Sequence, residues 1–218
     1  MRQLPVEFGG DFHLSDKTPC DTVVEDSVDR VFLRCGRDAL RLVRNQLNES
    51  CDTIIMPSLC CQSMEQPFLE AGWNVRHYAV DESLGIDIDS LALIAEKNPH
   101  SAFLYLNYYG KRSISQEHIL GLKEDFDLTV IKDSTHDIQS MQKMSDPLVD
   151  DYEIASIRKW VPIPDGAFAF SKKKLDISTV DSSDEQHESI KLAAMQRKAQ
   201  YLRGEDIAKS SFLDDFAY

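Results

Sequence analysis

The sequence predicts an α/β protein with a mainly parallel sheet, on three observations. Short β-branched or aromatic runs alternate with stretches of helical apolar spacing from residue 31 to residue 131. Most runs stop at turn formers such as Gly36, Pro57, Gly72, Asn98-Pro99 and Gly110. The chain is 42% hydrophobic and 9% aromatic, enough for an ordinary globular core. Strands alternating with helices imply βαβ units, with ligands collecting at the C-terminal strand ends.

Residues 1–30 have weak periodicity and many turn formers, and read as an N-terminal arm. An apolar segment at 31–36 ends in Gly36. Residues 37–47 then place Ala39, Leu40, Leu42, Val43 and Leu47 on one helical face. A strand at 52–57 is followed by a helix at 63–71 closed by Gly72. Residues 73–80 alternate as a strand, and 88–97 form a helix that Asn98-Pro99 ends. A strongly apolar strand at 102–107 stops at Tyr108-Tyr109-Gly110. A helix at 115–125 and a strand at 128–131 come next. Pro162 to Phe168, with Asp165-Gly166, reads as a tight turn into a further strand. Beyond Phe170 the composition turns polar, at 171–174 and 179–186, as in a linker or surface hairpin. Residues 189–202 form an amphipathic helix with Ile190, Leu192, Ala193, Met195, Ala199 and Leu202 as its apolar set.

Composition narrows the function. A net charge of −13 repels phosphates, so no nucleic acid or anionic membrane is expected as partner. No apolar run approaches the roughly 20 residues of a membrane span, and the N-terminus has no apolar core like that of a signal peptide. Five cysteines (Cys20, Cys35, Cys51, Cys60, Cys61) are an odd number, a poor disulfide framework that fits reduced thiols in the cytosol. Nothing near Cys60-Cys61 supplies Cys-x-x-Cys spacing or a paired histidine. That pair reads as buried small apolar residues, and no metal is expected.

Three residues carry most of the chemistry. Lys159 reads either as a surface lysine or, set between Ile157 and Trp160-Val161 beside Arg158, as an amine whose apolar setting favours imine chemistry over a free ammonium. Asp133 ends a β-branched run, where it would hold a charged ligand group or simply serve as a helix N-cap. Ser156 stands at Ser-x-x-Lys spacing before Lys159. Gly36 and Arg37 open a helix directly after a strand, which makes a phosphate cradle of its free amides. His136 lies three residues after Asp133.

The order Gly36-Arg37, Pro57 to Cys61, Asn107-Tyr108-Tyr109-Gly110, Asp133-x-x-His136 and Ser156-x-x-Lys159 resembles the sugar aminotransferase group (DegT/DnrJ/EryC1/StrS) of fold-type-I enzymes that use pyridoxal 5'-phosphate (PLP). The resemblance runs from residue 31 to 170 and weakly through the helix near Leu202. It implies a three-layer α/β/α large domain, here residues 31–175. Residues 176–218 would then be a linker and the start of an interdomain helix or a truncated C-terminal domain. It implies that Lys159 forms the internal aldimine with PLP and that Asp133 keeps the pyridine nitrogen protonated. It also implies that His136 would contact the phenolic oxygen and that Ser156 with the Gly36-Arg37 loop would hold phosphate. Cys61 occupies the place of an aromatic residue that stacks on the ring. Arg37 and Asp38 depart from the small residues usual in the phosphate loop, and the gap between Ser156 and Lys159 is shorter than usual. The implied substrates are a small-molecule amino donor, glutamate or glutamine, and a keto-sugar acceptor; the implied assembly is a cytoplasmic homodimer.

Two other readings compete. One is a non-catalytic remnant of this fold that acts as a binding or assembly partner. The other is a nucleotide-binding α/β domain, which requires a Gly-x-Gly-x-x-Gly after the first strand, and the sequence has none.

Overall fold

The computed structural model describes residues 11–14, 29–48, 50–138, 149–180 and 185–217 of the 218-residue chain. Most of the expected N-terminal arm, Cys20 and part of the polar segment after Thr179 lie outside these residues.

Seven strands form one sheet: β1 (Asp29–Leu33), β2 (Thr53–Pro57), β3 (Asn74–Tyr78), β4 (Ala102–Leu106), β5 (Thr129–Asp133), β6 (Tyr152–Ala155) and β7 (Ala167–Ser171). Their order across the sheet is β1-β7-β6-β5-β4-β2-β3. All neighbours from β6 to β3 pair in parallel, and only the pairs that β7 makes with β6 and β1 are antiparallel.

Every residue of β2 and β4 is buried, the mark of central parallel strands covered on both faces. The alternation of side chains divides the core in two. Ile54, Met56, Leu104, Leu106, Ile131 and Ile154 pack with α1 (Gly36–Gln46) and α2 (Gln62–Leu69). Ile55, Phe103, Tyr105 and Val130 pack with α3 (Ile88–Lys97) and α4 (Gln116–Phe126) on the other face. The result is the expected three-layer α/β/α architecture.

Local chemistry sets the helix ends. Asp87 caps α3 by accepting from the Ser90 amide at 3.0 Å, and Ser115 caps α4 by accepting from the His118 amide at 3.2 Å. Asp127, in the left-handed region at φ 52°, ends α4. The first turn of α1 carries Asp38, which is buried between Arg34 (3.1 Å) and Arg41 (2.8 Å). Its charge also suits the positive end of the helix.

The C-terminal helices differ from expectation. α5 spans Glu185–Leu202 and packs against α6 (Ser210–Ala217). Its buried positions are Lys191, Ala194, Met195, Lys198 and Ala199, whereas Leu192 faces solvent. Both lysines bury their stems and donate to backbone carbonyls, Lys191 to Phe216 and Lys198 to Asp11. No helix among the described residues is long and apolar enough to cross a membrane.

Candidate functional site

The C-terminal ends of the parallel strands and the start of α1 meet at one edge of the sheet. A cavity of about 620 Å³ opens there, and Gly36, Arg37, Cys61, Asp133, His136, Ser156 and Lys159 all line it. Residues scattered over 120 positions of sequence are therefore neighbours in space, as the topology of a parallel sheet requires.

The Cys35 side chain makes no cap bond to the helix, so the first amides remain open to a ligand. Gly36 faces Ser156: a Cβ at Gly36 would stand 3.4 Å from the Ser156 Cβ. Ser156 is buried, and its hydroxyl makes no cap bond to the turn it begins. Arg37 reaches across to Gln66 on α2 at 3.2 Å.

Asp133, only 5% exposed, stands at the end of β5. Its Oδ1 accepts from the Thr135 amide at 2.8 Å within a turn, and no helix begins there among the described residues, so the carboxyl closes a turn instead of capping a helix; the same residue lines the cavity. Burial pushes its pKa up, opposed by the Thr135 hydrogen bonds and by the charges of Lys159 and His136.

His136 stacks on Tyr109 with centroids 5.2 Å apart and planes within 11°. Tyr109 is 81% exposed and holds φ 54°, an uncommon left-handed conformation for an aromatic residue. Burial and the nearby Lys159 charge lower the His136 pKa, against the pull of Asp133. Its buried Nδ1 finds no hydrogen-bond partner among the described residues. A buried nitrogen without a partner, on a residue that lines the cavity, is a place where a ligand could bind.

Lys159 corrects one expectation. Ile157, Arg158 and Lys159 form a short 3₁₀ turn after β6, and Lys159 is exposed, as are Trp160 and Val161. Lys159 lines the cavity and is open to solvent, not buried as its apolar neighbours in sequence imply. Arg158 directs its guanidinium to Asp11 at 3.5 Å. Cys61 is exposed and meets the Ser63 hydroxyl at 2.9 Å, while Cys60 is half-buried, so neither is the buried apolar residue expected.

Thr135 was not singled out by the sequence, yet it links the two segments of the site. Its amide holds Asp133, its hydroxyl accepts from the Ser156 amide at 3.0 Å, and its carbonyl accepts from Trp160 Nε1 at 2.5 Å. The run Asp133-Ser134-Thr135-His136 is the only signal in the sequence, and it gives no hint of the contact with β6.

These residues fit PLP. An open helix N-terminus beside Ser156 suits a phosphate, a buried carboxyl suits a pyridinium, and an exposed amine suits an aldehyde. The orphaned His136 nitrogen suits a ring oxygen.

No family model and no curated protein matches the chain. Solved structures do. The Helicobacter pylori aminotransferase PseC, involved in pseudoaminic acid biosynthesis, is 16% identical with a TM-score of 0.56 over 69% of this chain and 41% of that one. A DegT DnrJ EryC1 StrS aminotransferase from Brucella abortus is 17% identical with a TM-score of 0.52 over 70% and 43%. A serine palmitoyltransferase from S. paucimobilis with a bound PLP–myriocin aldimine is 9% identical with a TM-score of 0.50 over 66% and 39%. The chain thus corresponds to about two fifths of the length of each. At these identities the likeness speaks for the fold alone: this chain shares a mainly parallel sheet between helical layers with the matched part of these solved aminotransferase structures.

Proposed function

We propose that this chain is the cofactor-binding part of a PLP-dependent aminotransferase of the sugar-aminating type, with Lys159 as the residue that carries the cofactor. The observation that supports this most strongly is the convergence of Lys159, Asp133, Ser156 and the α1 N-terminus on one cavity. Bound there, PLP supplies an electron sink that acidifies the α-hydrogen of an amino donor. The α1 amides and the Ser156 hydroxyl hold its phosphate. The Asp133 carboxylate would hold the pyridine nitrogen in its protonated form, and that positive charge would offset the burial that raises the Asp133 pKa. His136, stacked on Tyr109, would contact the ring oxygen of the cofactor. Lys159 Nζ, once displaced from the cofactor by the donor amine, would move the proton between the substrate Cα and the cofactor carbon, and in the reverse sense for the acceptor.

The donor in this reading is glutamate or glutamine and the acceptor a keto-sugar, reached through the solvent-facing side of the cavity. Residues 31–175 form the cofactor domain, and 176–218 lead toward the part of the enzyme that completes the substrate site. Leu59, Tyr109 and Trp160, all exposed and all near the cavity, suit a second copy of the chain, as in a homodimer. A cytoplasmic setting belongs to the same reading, with free thiols at Cys35, Cys51, Cys60 and Cys61. The test is a half-reaction. Protein loaded with PLP is mixed with glutamate or glutamine; the visible cofactor band should fall with the donor, and Lys159→Ala should lack that band from the start. A loaded protein whose band responds to neither donor would favour the non-catalytic binding reading.

A further inference from the structure

Outside the PLP-binding groups, two potential metal ligands, Cys60 and His77, converge on the carboxylate of a third, Glu65. Cys60 Sγ lies 3.4 Å from Glu65 Oε1, and His77 Nε2 lies 3.1 Å from the same oxygen. One ligand atom from each of the three residues falls within 4.8 Å of the other two. The residues come from three elements. Cys60 is in the turn after β2, Glu65 is in the first turns of α2, and His77 is on the edge strand β3.

We propose that Cys60, Glu65 and His77 bind one zinc ion, with water completing a tetrahedral set. Zinc bonds of about 2.0–2.3 Å place neighbouring tetrahedral ligands roughly 3.3–3.7 Å apart. The Cys60–Glu65 separation already matches that edge and the His77–Glu65 separation falls just short of it. Binding therefore needs only a small rearrangement, chiefly of Cys60 against His77. A thiolate, an imidazole and a carboxylate are a donor set that suits a borderline cation such as zinc. Without metal, one carboxylate oxygen serves both the thiol and the imidazole, an arrangement that holds the three side chains together in advance. Burial and Glu65 push the Cys60 thiol up to about 12, so it carries its proton at neutral pH. Zinc displaces that proton to solvent, forming a zinc–sulfur bond as the sulfur–hydrogen bond is lost.

The site has a structural consequence. Parallel pairing already joins β3 to β2, and zinc would also tie this edge strand to the turn that carries Cys60. Cys60 lines the cavity too, and the carbonyl of neighbouring Leu59 accepts from the Tyr108 hydroxyl at 2.5 Å. Metal would thus stiffen one wall of the cavity without entering the PLP-binding set.

The test titrates chelator-treated full chain with Co²⁺, without added PLP, and then displaces it with Zn²⁺. The expected result is one Co²⁺ per chain with a thiolate-to-cobalt absorption band and tetrahedral visible bands, both removed by Zn²⁺. The thiolate band should vanish in Cys60→Ser, persist in Cys61→Ser, and the visible bands should collapse in His77→Asn. Zn²⁺ should raise the melting temperature of the native chain and leave that of His77→Asn unchanged. Absence of the bands, or a thiolate band that survives Cys60→Ser, would overturn the proposal. Because no step uses PLP or Lys159, Lys159→Ala should bind Co²⁺ like the native chain, and failure of the aminotransferase reading would leave this result standing.

Discussion

Gly36 and Ser156, 120 residues apart, lie so close that a methyl group on the first would stand 3.4 Å from the Cβ of the second. This is ordinary contact, not a clash, so the space between them is open but narrow. Gly36→Ala should therefore fold normally, with a melting temperature at or slightly above native, since alanine suits a helix better by about 0.5–1 kcal/mol. Its affinity for PLP should fall because the added methyl enters the phosphate cradle. Circular dichroism with PLP titration checks both halves.

Ser156→Ala isolates the hydroxyl. The Ser156 amide keeps its bond to Thr135, so the turn that carries Lys159 should stay in place. A hydrogen bond to a charged group contributes about 1.5–3 kcal/mol. PLP affinity should drop by about 10- to 100-fold, read by spectral titration, and pyridoxal without phosphate should bind both proteins alike.

Thr135→Val should cost stability as well as affinity. It removes the acceptor for the buried Ser156 amide, a loss of about 1–3 kcal/mol. For a chain of this size that lowers the melting temperature by roughly 2–4 °C per kcal/mol. Thr135→Ser, which keeps the hydroxyl, should restore most of it.

Asp133→Asn should separate stability from function. Burial raises the pKa of Asp133 in the fold, so the unfolded chain loses this proton more readily. Its contribution is present below the ordinary carboxyl pKa and is lost as pH rises through the folded value. The asparagine variant keeps the acceptor for Thr135 and has no such loss. Without PLP it should be as stable as native or more so at pH 7, and with PLP it should lose most turnover. Thermal melts at acid and neutral pH, alongside the half-reaction, measure the two effects.

His136 gives the opposite sign. Its pKa is lowered in the fold, so its contribution is present above the ordinary imidazole value and is lost as pH falls through the folded value. His136→Gln should flatten the decline in stability below about pH 6.5 while leaving neutral stability nearly unchanged. Melts from pH 7.5 to pH 5 test this.

Periodicity suffices where apolar residues alone set the element. α3 occupies the residues the spacing assigns, because Leu91 and Ala95 carry its buried face and Asp87 caps it. Pattern fails where a charged side chain is buried. The β-branched run ends at Ile131, yet β5 continues to Asp133 because Lys132 pairs with Glu153 of β6 at 3.3 Å. On α5 the aliphatic stems of Lys191 and Lys198 take the place that apolar spacing assigns to Leu192. The setting of Lys159 differs from expectation for a related reason: a 3₁₀ turn leaves Ile157 half-buried and Lys159 with Trp160 exposed, which neighbours in sequence do not reveal. The candidate site is legible as a set of residue types in order. Thr135 is not, because its role depends on a contact between β5 and β6 that no local spacing encodes.

Every role proposed for the cavity depends on Lys159 carrying the cofactor. Borohydride reduction of the chain with added PLP, and peptide mapping of the labelled residue, addresses this without intermediaries. A visible band lost on reduction and one stable label on Lys159 are the expected result. A label spread over surface lysines, or an unchanged visible band in Lys159→Ala, would contradict it.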